Sequence, residues 1–104
     1  MTDPAEFTGS FKSLADETRL KIMLVLNSRP RSVGEIVDLF NLSQPTISRH
    51  LLVLKQSGLV VSKRRGQQVI YAINDEGVRS LALDFFKNFD CCKGISIPSL
   101  GRKR

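Results

Sequence analysis

Apolar residues recur at helical spacing along most of this chain, and the rhythm breaks once. After Asp3-Pro4, where proline's missing N–H does no harm in a first helical turn, Phe7, Phe11 and Leu14 mark a first helix. Asp16 can cap a second, with Glu17 near its positive end and Leu20, Met23, Leu24 and Leu26 as its apolar positions. Asn27 to Arg31, with Pro30, reads as a turn. Ser32-Val-Gly-Glu35 has the spacing of a capping box and predicts a third helix over Val33 to Phe40, burying Val33, Ile36, Val37 and Phe40. Asn41-Leu42 leaves room only for a turn before a fresh cap at Ser43. A fourth helix of about 14 residues follows, with Ile47, Leu51 and Leu54 on one face and Gly58 as its stop.

Beyond Gly58 the pattern changes to β-branched runs. Leu59 to Lys63 and Gln68 to Ile73 are predicted strands, joined at a tip formed by Arg64-Arg65-Gly66-Gln67. Asn74-Asp75 then caps a last helix marked by Val78, Leu81, Ala82, Phe85, Phe86 and Phe89. The fold class expected is mainly α with a two-stranded β-hairpin wing: a winged helix-turn-helix of about five helices. One domain is expected over 1–94, followed over 95–104 by a basic tail expected to be mobile.

Composition narrows this further. The 104 residues suit one core. The longest apolar run, Ile22 to Leu26, is far below the roughly 20 residues of a membrane span, so no membrane partner is expected. The N-terminal residues show no signal peptide, from which a cytoplasmic protein with reduced cysteines is expected. The net charge of +6 is unevenly placed. Residues 1–40 carry five basic and six acidic side chains, whereas residues 41–73 carry Arg49, Lys55, Lys63, Arg64 and Arg65 with no acid. A carboxylate-free stretch of this kind either meets phosphate or forms a solvated basic face.

On the fourth helix, Gln44, Pro45, Thr46, Ser48 and Arg49 lie opposite the apolar stripe. Ser43 and Thr46 can take phosphate while Gln44, Ser48 and Arg49 read base edges in a major groove. Ser43 as a mere cap and Pro45 as a mere helix starter fit equally well. His50 either contacts phosphate or packs beside Ile47. Lys63, Arg64, Arg65 and Gln67 on the hairpin reach backbone or the minor groove.

Three segments carry a resemblance: Phe11-Lys-Ser-Leu-Ala-Asp-Glu-Thr-Arg-Leu-Lys-Ile22, Leu42-Ser-Gln-Pro-Thr-Ile-Ser-Arg-His-Leu-Leu-Val-Leu54 and Gly58-Leu-Val-Val-Ser-Lys-Arg-Arg-Gly-Gln-Gln-Val-Ile-Tyr71. In order and spacing the chain resembles the ArsR/SmtB family of bacterial winged-helix repressors. The resemblance implies a homodimer, joined through the first and last helices, that holds double-stranded operator DNA (an inverted repeat) and leaves it when an inducer binds. Phe7, Phe11, Leu14, Phe85, Phe86 and Phe89 are the candidate interface residues; alone, such aromatic stripes are as readily plain core. No cofactor is expected for DNA binding itself.

Family members differ in their inducer sites. A Cys-Val-Cys pattern on the third helix is missing, since Gly34-Glu-Ile-Val-Asp-Leu39 holds no thiol. Asp/His pairs on the last helix are missing too, since that helix holds no His. There remain Cys91 and Cys92, which resemble the C-terminal pair of members that sense trivalent arsenicals. Adjacent thiolates can converge on one soft ion: trivalent arsenic or antimony with a third sulfur from elsewhere, or an organoarsenical needing only two. Lys93 is expected to favour the thiolate. A redox role on the same scaffold, or no sensing role, stays open. The chain has no Cys-x-x-Cys, no phosphate-cradling loop and no Ser/His/Asp set, so an enzyme is not expected. A winged helix serving only protein interaction is the remaining rival, disfavoured by Arg49 and the Arg64-Arg65 wing.

Overall fold

The computed structural model describes residues 3–95. The basic tail expected over 95–104 therefore lies outside the described residues, apart from Ile95. The described residues form five α-helices and a small antiparallel sheet, in the order α1 (Ala5–Leu14), α2 (Glu17–Ser28), β1 (Arg31–Ser32), α3 (Val33–Phe40), α4 (Gln44–Gln56), β2 (Val60–Arg65), β3 (Gln68–Ile73) and α5 (Asp75–Phe86). Among the described residues no helix is long and apolar enough to cross a membrane.

The helix starts follow from short-range chemistry. Asp16 accepts the Arg19 N–H at 3.0 Å and opens α2. At α3 the capping box is complete: Glu35 N–H donates to Ser32 Oγ at 3.1 Å, and Ser32 N–H donates to Glu35 Oε1 at 2.9 Å. Asn41 ends α3 in the left-handed conformation (φ 53°), its N–H returning to Val37 O at 3.0 Å. That single residue turns the chain from α3 toward α4.

The core lies where α2, α3 and α4 meet the base of the hairpin. Ile22, Met23 and Leu26 of α2, Ile36 of α3, Ile47, Leu51 and Leu54 of α4, and Leu59 and Val60 are all buried. Of the stripe expected on α3 only Ile36 is fully buried, with Val33, Val37 and Phe40 half-buried against the core, and two apolar positions of α2 face outward. Leu20 and Leu24 are exposed, at 46% and 64%, because α2 is apolar on nearly every side and its neighbours decide which side packs.

The sheet also departs from the predicted two-stranded ribbon. It has three strands in the order β1-β3-β2. Arg31, expected in a turn, and Ser32, the cap of α3, pair with Tyr71 and Ile70. They cover backbone groups along one edge of β3 that would otherwise go unpaired. The tip is shorter than expected as well. Arg64 pairs with Val69 and Arg65 with Gln68, so the turn is Gly66-Gln67 alone. Gly66 adopts φ +64°, which a two-residue hairpin turn needs at its first position.

At the other end, α5 starts at an Asn74 cap whose Nδ2 donates to Gly58 O at 2.8 Å. Gly77 lets the two segments touch: a Cβ there would stand 1.9 Å from Gly58 O. The last helix was expected to continue through Phe89, with the cysteines at its end. It stops at Phe86 instead, and Asp90–Cys92 forms a separate 3-10 turn closed by Lys93 N–H to Asp90 O at 3.2 Å.

Candidate nucleic-acid interface and cysteine pair

α4 presents its polar residues outward because Ile47, Leu51 and Leu54 fix its inner face at zero exposure. Ser43, Gln44, Pro45 and Arg49 are exposed, and Thr46 and Ser48 are half-buried. Ser43 Oγ accepts the Thr46 N–H at 3.3 Å, and the two hydroxyls stand 2.8 Å apart. Ser43 is therefore the helix cap, and Pro45 sits in the first turn. Gln44 lines a cleft of about 220 Å³ with Gln67, Gln68 and Val69 of the hairpin and the Ser32–Gly34 end of α3. Helix start and wing tip thus share one concave surface.

The wing's bases divide between two faces, since side chains alternate along a strand. Lys63 and Arg65 share a face with Val61, Ile70 and Ala72, around a shallow groove reaching Pro30. Arg64 lies on the opposite face with Ser62, whose Oγ accepts a hydrogen bond from Lys55 of α4 at 2.7 Å. Lys55 thus ties α4 to the wing, a role that sequence spacing does not reveal. Arg49, Lys63, Arg64 and Arg65 are exposed and form no ion pair among the described residues, whereas Lys21, Arg29, Lys87 and Lys93 all pair with carboxylates. The exposed bases of α4 and the hairpin thus keep their charge, as a phosphate-facing surface requires.

His50 is half-buried and faces α2, its Nδ1 3.3 Å from Arg19 Nη1. Arg19 is a second residue that the sequence did not mark. Its acidic neighbour Asp16 is visible at helical spacing, but its contact with His50 spans 31 residues.

The aromatic residues proposed for the dimer interface form a cluster within the single chain. Phe85 is the hub, with ring centroids 5.1 Å from Phe11, 6.1 Å from Phe7, 5.8 Å from Phe86 and 5.0 Å from Phe89. Leu14 instead packs against the core. α5 buries none of its residues in the single chain. Phe11 and Phe89 remain 36% and 44% exposed, so the cluster forms an open aromatic face.

Cys91 is exposed and Cys92 half-buried, both as free thiols with sulfurs 3.7 Å apart. The hydrogen bond with Cys91, then burial and the charge of Cys91, push the Cys92 thiol above its ordinary range. Lys93 does not act as expected, because its Nζ pairs with Asp90 at 3.1 Å. Among the described residues no cluster of three or more His, Cys, Asp or Glu is placed to hold a metal ion.

Comparison with known proteins agrees with this geometry. The model of the family described as "Bacterial regulatory protein, arsR family" matches residues 16–62, from the cap of α2 into β2. A probable mercury resistance operon repressor of Streptomyces lividans is 34% identical over 110 aligned positions, covering 99% of this chain and 86% of the relative. The arsenical resistance operon repressor of Escherichia coli is 43% identical over 65 residues, 62% of this chain and 56% of the relative. Among solved structures, a homodimeric winged helix-turn-helix DNA-binding domain from Mycobacterium bovis, a possible ArsR-family regulator, superposes with a TM-score of 0.67. It shares 30% identity and covers 85% of this chain and 87% of its own. Fold and sequence agree across these comparisons: the chain belongs to the arsR family of bacterial regulatory proteins and is a winged-helix transcriptional regulator, not an enzyme.

Proposed function

We propose that two copies of this chain join through α1 and α5 and hold an inverted-repeat operator. Each copy sets α4 in a major groove and its hairpin against the adjacent backbone. The complex represses transcription until a thiophilic inducer binds Cys91 and Cys92. The open aromatic face supports the dimer, as does the homodimeric structure of the M. bovis relative.

One observation carries the inducer reading: two free, accessible sulfurs 3.7 Å apart follow directly on the helix that presents this face. Trivalent arsenic or antimony would be held by both sulfurs, with a third supplied by a small thiol or the second subunit. A monosubstituted organoarsenical would need only these two. Each As–S bond that forms replaces an As–OH bond, and the thiol proton leaves with the hydroxide as water. Ligation would reshape the Asp90–Cys92 turn and the adjoining face, changing the angle between the two copies of α4. A 100-fold loss of operator affinity requires only about 2.7 kcal/mol of coupling.

The test is fluorescence anisotropy on the duplex upstream of the protein's own gene, titrated with arsenite, antimonite, phenylarsenous acid, Hg(II) and an oxidant. Release by the arsenicals, with a Cys91→Ser/Cys92→Ser variant that binds DNA equally but is not released, is expected. Equal release of the double variant would remove the pair from the mechanism. Release by the oxidant alone would replace the metalloid with a redox signal. The names of the E. coli and S. lividans relatives place both arsenic and mercury in the titration.

A further inference from the structure

Arg19 lies on α2, outside both the helix pair and the wing. Its side chain is only 19% exposed, and three groups surround its guanidinium. Nε donates to the Ser13 carbonyl near the end of α1 at 2.7 Å. Nη1 lies 3.3 Å from Nδ1 of His50, midway along α4, and 3.9 Å from Asp16 Oδ2. The Arg19 N–H, with the charge of its guanidinium, keeps the Asp16 carboxyl below its ordinary range despite partial burial, so the anion persists beside the fork.

A guanidinium has donors and no acceptor. His50 Nδ1 must therefore accept, which fixes the neutral ring as the tautomer with its proton on Nε2. α1 also meets α4 directly, about two turns beyond His50. Ser13 Oγ bonds to Ser57 Oγ at the end of α4, and Ser10 Oγ donates to the Ser57 carbonyl at 3.5 Å. The first helix is thus joined to α4 at its middle through Arg19 and at its end through Ser57.

We propose that Arg19 is a positioning residue for DNA reading: by bridging the Ser13 carbonyl and His50 it sets the rotation of α4 about its own axis and the tautomer of its imidazole. The inference rests on α4 being the reading helix. Successive residues on a helix stand about 100° apart, so holding His50 also holds the bearing of Arg49. The guanidinium of Arg19 is largely enclosed by its own chain, whereas Lys63, Arg64 and Arg65 of the wing are exposed. Because α1 also carries Phe7 and Phe11, the bridge joins the aromatic face to the reading surface.

His50 is the sole histidine of the chain, so long-range proton–nitrogen-15 spectra of the imidazole need no assignment. In the wild type these should show Nδ1 as acceptor and Nε2 protonated. In Arg19→Gln the ring should pass to a mixture of tautomers. Preference for the upstream duplex over random-sequence duplex should fall about tenfold, with the salt dependence of binding unchanged. Arg19→Lys keeps the charge but has no fork to span both acceptors, and should behave like Arg19→Gln.

A wild-type ring protonated on Nδ1 overturns the proposal without any variant. So does an Arg19→Gln protein with full sequence preference and an unchanged ring. Equal weakening on both duplexes with a shallower salt slope would make Arg19 a phosphate contact instead. Wild-type protein without sequence preference would refute the reading of α4 itself, and the role of Arg19 would fall with it.

Discussion

α4 and α5 have nearly equal lengths, 13 and 12 residues, and both open on a side-chain cap. α4 drives Ile47, Leu51 and Leu54 to zero exposure within its own chain. α5 carries Val78, Leu81, Ala82, Leu83, Phe85 and Phe86, yet buries none of them. The first helix is specified by the fold around it; the second is only half provided for. Its first turn is anchored by Asn74 to Gly58, while its second half meets chiefly the rings of α1. In the proposed function the contrast separates a finished reading surface from an unfinished assembly surface, and a signal acting at Cys91 and Cys92, beyond α5, would enter through the second and reach DNA through the placement of the first.

The largest test of this contrast is Phe85→Glu. In the proposed dimer it sets a carboxylate at the hub of the aromatic cluster, in the middle of apolar rings. Sedimentation velocity at micromolar concentration should show monomer, and operator affinity should fall more than about 100-fold, because a monomer engages one half-site. Intact dimers would move the interface away from α5.

A second, smaller effect divides the DNA surface. Arg49→Ala should relax sequence preference, costing about 1–3 kcal/mol on the preferred duplex and little on random DNA. Arg65→Ala should weaken all duplexes alike and flatten the slope of log affinity against log salt by about 0.9. Competition binding at several salt concentrations reads both. An Arg49→Ala protein with intact affinity and preference would show that the reading face of α4 is misassigned, and the finished half of the comparison would lose its function.

How far the sequence foretold this division follows from the range of each interaction. Ser32 and Glu35 are three residues apart, and the predicted bounds of α3, Val33 to Phe40, are those observed. The stripe of α4 was equally legible, because Ile47, Leu51 and Leu54 repeat within one helix. β1 was not, since two residues carry no alternation and its partner Tyr71 is 40 positions away. The tip was placed too early because its glycine is visible but the closing pair, Arg65 with Gln68, is a matter of register. The end of α5 was overrun because Phe89 keeps helical spacing while joining Phe85 from outside the helix. At the site, the residues facing outward could be read from periodicity. Arg19 and Lys55 could not, because their partners His50 and Ser62 belong to other elements.

The smallest effect probes the finished half where it was most legible. The Ser32 N–H, joined by the Arg29 side chain at 2.9 Å, holds the Glu35 carboxyl below its ordinary value of 4.5. A carboxyl depressed in the folded state contributes stability that is present above the unfolded value and lost as pH falls through the folded one. Glu35→Gln keeps an acceptor for Ser32 but has no charge to titrate. Urea midpoints at neutral pH should therefore be modestly higher for the wild type, and the two curves should converge as pH falls below 4.5. The gap between them should not vary with protein concentration, because this cap lies within one chain's own fold. A gap that widened with concentration would place the start of α3 in the assembly surface, and the division between the two halves would have to be redrawn.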